Sequence, residues 1–148
     1  MKFSKTFMIK NLKNCLFCQI VAGKLSAYQI YEDGQFLAFL DIRPLNPGHT
    51  LVIPKSHYRW VIDVPNFGEY WTVVGKIAKM IQKKLKPESF NFVVLGYEIP
   101  HAHIHLIPRF EADGLGATLD WRQRKELSEE TMLAISKKLK MENPDFKT

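Results

Sequence analysis

The chain has five histidines, and three of them fall in the run "PHAHIHLIPR" as His101, His103 and His105. Successive side chains on an extended strand point to opposite faces. The three imidazoles would therefore share one face, with Ala102, Ile104 and Leu106 on the other. Such a row offers nitrogen ligands, general bases and, in the neutral form, nucleophiles. Same-face neighbours lie about 6.6 Å apart and the outer pair about 13 Å. Two adjacent histidines can share one metal ion, but three in a line fit one poorly, so at least one must have another task. The other two are His49 of "GHTLVIP" and His57 of "PKSHY", at the ends of a strand expected in the same sheet.

Two cysteines, Cys15 and Cys18, form a C-x2-C pair in "CLFCQIVAG". That spacing suits a tetrahedral zinc site, which needs two further ligands. A plain buried or free pair and a redox pair are the other readings. A redox pair would follow a strand in a thioredoxin-like unit, whereas here only an N-terminal extension precedes it.

The elements that must position these groups are legible in outline. "CLFCQIVAG" reads as a short helix stopped by Gly23. "YQIYEDGQFLAFLDI" is two β-rich runs around Asp33-Gly34, a strong hairpin signal, and "RPLNPG" is a loop leading to "HTLVIPK", a third strand. Between Phe67 and Pro87, apolar residues at Tyr70, Val74, Ile77, Ile81 and Leu85 recur with helical spacing. "FNFVVL" and "HAHIHLIP" follow as strands joined by the short "GYEIP". The stretch 110–127 reads as loop, and "SEETMLAISKKLK" as a terminal helix with Ser128 at its N-cap and Glu129 and Glu130 in its first turn. The expected fold is α+β: a five-stranded antiparallel meander, one long helix, a short N-terminal helix and a helical tail.

With 148 residues and 46% hydrophobic content, one domain with a sizeable core is expected. The divisions are an extension at 1–14, a main domain at 15–110, and a tail at 111–148 belonging to the same domain. The net charge of +6 favours anionic partners such as nucleotides. The lysine runs at Lys83, Lys84 and Lys86 and at Lys137, Lys138 and Lys140 read as solvated helix faces, so nucleic acid is not the expected partner. The basic start lacks the continuous apolar stretch of a signal peptide, and no run approaches the ~20 apolar residues that span a bilayer. No membrane association is expected, and two cysteines without an export signal point to the cytoplasm.

Taken in order, these motifs resemble the histidine-triad (HIT) superfamily of nucleotide hydrolases and transferases, marked by His-x-His-x-His followed by apolar residues. The likeness runs from Asn14 to Arg109 through "CLFCQIVAGK", "YEDGQFLAFLDIRPLNPGHTLVIPKSHY" and "HAHIHLIP". It implies attack on the α-phosphate of a nucleoside monophosphate derivative, of the phosphoramidate or dinucleoside polyphosphate class, through a covalent nucleotidyl-histidine. On this resemblance His103 is the nucleophile, while His105 and His49 border the phosphate. Leu16, Phe17, Ile20, Phe39 and Ile42 hold the base, and Asp41 accepts from ribose hydroxyls. Cys15, Cys18, His57 and His101 hold a structural zinc. No organic cofactor is implied, and the chain is expected to pair as a homodimer.

One loop departs from the family pattern. Leu95, Tyr97 and Glu98 stand near places often held by Asn, Gln and Ser or Thr. A carboxylate beside a phosphate repels it unless Glu98 turns away or takes a proton. The alternative expectation is therefore a nucleotide-binding or scaffolding module with weak turnover. A third reading, a metal buffer, requires more than one zinc per chain.

Overall fold

A hairpin opens the sheet. In the computed structural model, which describes residues 14–142, β1 (Gln29–Glu32) and β2 (Phe36–Leu40) are joined by a three-residue loop. Asp33 shapes this loop by accepting backbone N–H bonds from Gln35 and Phe36 at 2.7 Å each. Nearly all of the expected extension at 1–14, and the last residues of the tail, lie outside the described residues.

The strands β3 (Thr50–Pro54), β4 (Ser89–Val93) and β5 (Ile104–Arg109) complete a five-stranded antiparallel sheet. Its order is β1-β2-β3-β5-β4, so the meander runs only through β3. The chain then crosses in the long helix α2 (Phe67–Leu85), lays β4 at the edge, and returns β5 into the gap beside β3. The connection at 94–103 is longer than the sequence suggests, because paired strand begins at Ile104 rather than at His101.

Alternation divides the core between two faces. Phe36, Ala38 and Leu40 of β2, with Val52, Ile104 and Leu106, pack against Tyr70, Val74, Ile77 and Ile81 of α2. Met132 and Leu139 of α3 (Glu129–Leu139) join the same cluster. On the opposite face Leu37, Phe39, Leu51 and Ile53 meet Phe17 and Ile20 of α1 (Leu16–Val21), while Ile107 meets Leu45, Leu115 and Leu119. Each large apolar side chain buried in this way is worth about 1.5–3 kcal/mol. Both faces of the central strands are thus covered, which explains why β2 and β3 are buried at every position.

Two constraints tie the ends to this frame. Gly48 sits at φ +87°, and a Cβ there would lie 2.6 Å from Leu85 Cδ1, so the turn before His49 requires glycine. Asp113 accepts bonds from Arg109, from Asn46 and from the backbone of Phe110 and Leu115, which anchors the start of the tail. Further along, Lys125 N donates to Pro44 O at 2.7 Å and its Nζ reaches Leu45 O and Asn46 Oδ1. Ser128 caps α3 as its sequence predicts, accepting from Thr131 N at 3.1 Å. Met141 N then donates to Ile30 O at the outer edge of β1. Among the described residues no helix is long and apolar enough to cross a membrane.

Candidate active site

The histidines alternate with Ala102, Ile104 and Leu106 as expected, although only His105 lies within the paired strand. A neutral imidazole has one N–H and one lone pair, so each partner fixes which nitrogen carries the proton. His103 Nδ1 lies 2.7 Å from the His101 carbonyl, which only accepts; Nδ1 therefore donates and the lone pair falls on Nε2. His103 lines a cavity, as does His105.

His49 is completely buried behind His105 rather than on the cavity wall. Its Nδ1 accepts from Leu45 N at 3.1 Å, so its Nε2 bears the proton and points to His105 Nδ1 at 3.0 Å. His105 Nδ1 must then accept, which leaves its N–H on Nε2. Burial is the largest influence on both rings and pulls both to about 3; Arg124 adds to the lowering on each, and the neighbouring histidines add to it on His105. His103 is also lowered, chiefly by burial. Its bond to the His101 carbonyl and the carboxylates of Asp41 and Glu98 act in the other direction, and Arg59 adds to the lowering.

The first triad histidine faces away from this chain. His101 Nε2 donates to Pro54 O at 2.8 Å, leaving Nδ1 bare and 3.4 and 3.5 Å from the sulfurs of Cys15 and Cys18. His57 Nδ1 lies 3.2 Å from Cys18 Sγ, and the four ligand atoms all fall within 4.8 Å of one another. Tetrahedral zinc, with bonds of about 2.0–2.3 Å, separates its ligands by roughly 3.3–3.8 Å. Both cysteines are free thiols, and burial with the neighbouring Cys15 pushes Cys18 up to about 12. A divalent cation among them would remove that penalty, so donor chemistry and spacing are compatible with zinc. Asp41, His49 and His105 also converge. That second group suits a metal badly, since His49 accepts a hydrogen bond at Nδ1 and could ligate through Nε2 only as an imidazolate.

The cavity encloses about 690 Å³ on the α1 face of the sheet. Leu16, Phe17, Ile20, Phe39 and Ile42, together with Asp41, Glu98, His103 and His105, all line it. Phe17 stands edge-on to Phe39 at 5.4 Å and to His103 at 5.3 Å, forming an apolar slot that ends at the imidazole. Asp41 is not a free acceptor: Oδ1 takes the Arg43 N–H at 2.9 Å, and Oδ2 pairs with Arg124 at 3.2 Å. Glu98 is an exposed residue of the wall, beside Tyr97, which is 86% exposed and rests against Trp60. Gly96, at φ +89°, lets that loop pass close over Trp60.

Sequence reading missed Trp121 and Arg124. Both line the cavity from a 3-10 turn at Trp121–Gln123 and its flank, inside the stretch expected to be plain loop. Trp121 lies edge-on to His105 at 5.1 Å and to His49 at 6.1 Å. The available signal was a tryptophan set among the charges of "LDWRQRK", where a large apolar ring needs a surface to cover.

Comparison with known proteins gives matches in both sequence and fold. The HIT domain family matches residues 23–112. An adenylylsulfatase of Arabidopsis thaliana is 36% identical over 131 residues, spanning 83% of this chain and 66% of its own. An adenosine 5'-monophosphoramidase of Saccharomyces cerevisiae is 36% identical over 107 residues, spanning 68% of this chain and 66% of its own. The crystal structure of a zinc-bound histidine triad family protein from Mycobacterium smegmatis superposes with a TM-score of 0.68 at 34% identity, covering 86% of this chain and 94% of that one.

The hydrogen-bond chain makes a titration prediction. His49 and His105 should stay neutral from pH 8 to pH 5, with midpoints only near about 3. Because their folded values lie below the ordinary ~6.5, the unfolded chain takes up protons first, and this contribution to stability should decline as pH falls below ~6.5. Nitrogen NMR shifts of the two rings check this; a midpoint near ~6.5 for either ring would show that burial does not hold it neutral.

Proposed function

The chain belongs to the HIT domain family, and from that membership and the site we propose that it releases a nucleoside monophosphate from a derivative substituted at the α-phosphate. The observation that supports this most is the placement of one bare nitrogen, His103 Nε2, beside one N–H donor, His105 Nε2, at the end of an apolar slot. In the reaction the His103 Nε2 lone pair attacks the α-phosphorus, the bond to the leaving group breaks, and a nucleotidyl-histidine forms. Water then attacks the same phosphorus and frees His103. His105 donates to a non-bridging oxygen as charge develops there, and His49 acts through His105 by fixing its tautomer. Phe17, Phe39 and their apolar neighbours take the base, and Asp41 offers its remaining lone pairs to the ribose.

The two relatives named above differ in leaving group, an amine in one and sulfate in the other. The shared chemistry lies at the α-phosphate, which is the part the histidines address. Glu98 on the cavity wall disfavours a polyphosphate leaving group and suits one bearing N–H donors, so the phosphoramidate class is preferred. Wild type incubated with adenosine 5'-phosphoramidate should release AMP, and a dinucleoside polyphosphate should react more slowly. His103→Ala should cut release about 10³-fold or more. Full turnover by that variant would refute the nucleophile. Tight AMP binding without turnover by wild type would favour the binding-module reading.

Cys15, Cys18, His57 and His101 would hold the zinc. All four positions of such an ion would be taken by protein, so it would supply a structural clamp with no open site for substrate. Metal analysis should find one zinc per chain, reduced to none by Cys18→Ser. Two zincs per chain would favour the metal-buffer reading.

We also read the chain as a homodimer. Phe90 and Phe92 of β4 form an aromatic ridge with Trp71 and Phe67 of α2, and β4 has no further strand beyond it among the described residues. Light scattering should give twice the chain mass, and Phe92→Lys should shift the species toward monomer. A wild-type monomer at high concentration would refute the pairing.

A further inference from the structure

The cavity must receive an anion, yet its histidines are poor sources of positive charge. His49 and His105 each accept a hydrogen bond on one nitrogen and bear a proton on the other, so neither is cationic. A nucleophilic His103 must also be neutral. The charged residues on the wall are Asp41, Arg43, Glu98 and Arg124. Formal positive charge there comes from the two arginines alone, and Arg43 is an exposed residue.

Arg124 is built into the wall. Both protons of its Nη1 are used, one on Asp41 Oδ2 at 3.2 Å and one on Arg43 O at 2.9 Å. The guanidinium carbon lies 5.1 Å from the Trp121 ring centre, and that ring lies 5.1 Å from His105. The backbone N–H of Lys125, the next residue, is tied to Pro44 O. Three donors remain, on Nε and Nη2, and among the described residues none has a protein partner. A planar fork of fixed N–H groups beside a neutral imidazole chain is a good acceptor site for phosphate oxygens. The segment lies beyond residue 112, where the family match ends.

We propose that Arg124 is a specificity-determining residue that binds the substrate's phosphate oxygens, with Asp41, the Arg43 carbonyl and Trp121 holding its guanidinium in place. This rests on the reading of the cavity as a nucleotide site. It assigns the tail a chemical role: β5 and the segment leading into it supply the imidazoles, and the tail supplies the charge that selects a nucleotide over its nucleoside.

Calorimetric titration of the full chain with AMP and with adenosine separates this role from a merely structural one. Wild type should bind AMP more tightly than adenosine. Arg124→Gln should reduce that preference about tenfold or more while leaving adenosine affinity within about threefold, as expected for loss of a charge-assisted contact. Arg124→Lys, which keeps the charge but not the fork, should lose only part of the preference and serves if the Gln variant folds poorly. An unchanged preference in Arg124→Gln, or equal losses for both ligands, would overturn the assignment and leave Arg124 as an anchor for the tail. Wild type that binds neither ligand would overturn the nucleotide reading together with this one.

Discussion

Each imidazole in this site can do only one thing per nitrogen, and the surrounding backbone decides which. The Leu45 N–H reaches His49 Nδ1, the His101 carbonyl receives His103 Nδ1–H, and the Pro54 carbonyl receives His101 Nε2–H. Three main-chain groups thus give three chemically identical rings three different patterns: a proton on Nε2 of His49, a bare Nε2 on His103 and a bare Nδ1 on His101. No acidic side chain is required to set these tautomers. Burial does the rest by penalising the cationic form, so that neutral rings persist well below the pH at which free histidine would protonate.

That arrangement depends on the two faces of one sheet. The face against α2 and α3 is filled with aliphatic and aromatic residues and holds no histidine, cysteine, carboxylate or basic side chain in its cluster. The opposite face is covered in two separate patches, α1 at one end and the tail turn at the other, with the cavity between them. The apolar slot and the cysteines come from the α1 side, while Trp121 and Arg124 come from the tail. Charge is divided across the cavity in the same way. Glu98 and Arg59 act on His103, whereas Arg124 acts on His105 and His49.

Period and punctuation made much of this legible in the sequence. Strict alternation from His101 to Leu106 placed the imidazoles on one side, helical recurrence from Tyr70 to Ile81 located α2, and Ser128 marked the start of α3. Strand order was not legible, because alternation shows which way a side chain faces but not which strand lies alongside; β5 therefore enters between β3 and β4 without a local signal. The beginning of β5 was also misplaced, since the histidine pattern continues three residues before hydrogen-bonded pairing begins. The resemblance puts His49 beside the phosphate, but only tertiary packing shows that His105 stands in front of it. Trp121 and Arg124 were hidden for a related reason: a turn has no period, and the two residues gain meaning only from Asp41 and His105, far away in the chain.

The weak point and the control point of the site are the same short segment. Residues 101–103 precede the paired part of β5, so the sheet ladder does not hold the carbonyl on which the His103 tautomer depends. What holds it is local. Ala102 N donates to Tyr58 O at 2.6 Å, and the His101 ring is fixed by Pro54 O on one nitrogen and by the Cys15, Cys18 and His57 cluster on the other. The loop at 54–58 therefore supports this segment at three points, through Pro54, His57 and Tyr58. The cluster of Cys15, Cys18, His57 and His101 joins that loop to the triad side by side, with the start of α1 held to both through its cysteines. The His101 ring joins the cluster while its carbonyl orients the neighbouring imidazole, so whatever rigidity the cluster gains is passed to His103 through a single residue. In this fold the Cys/His cluster and the cavity-facing imidazole are parts of one mechanical unit, although their side chains point in different directions.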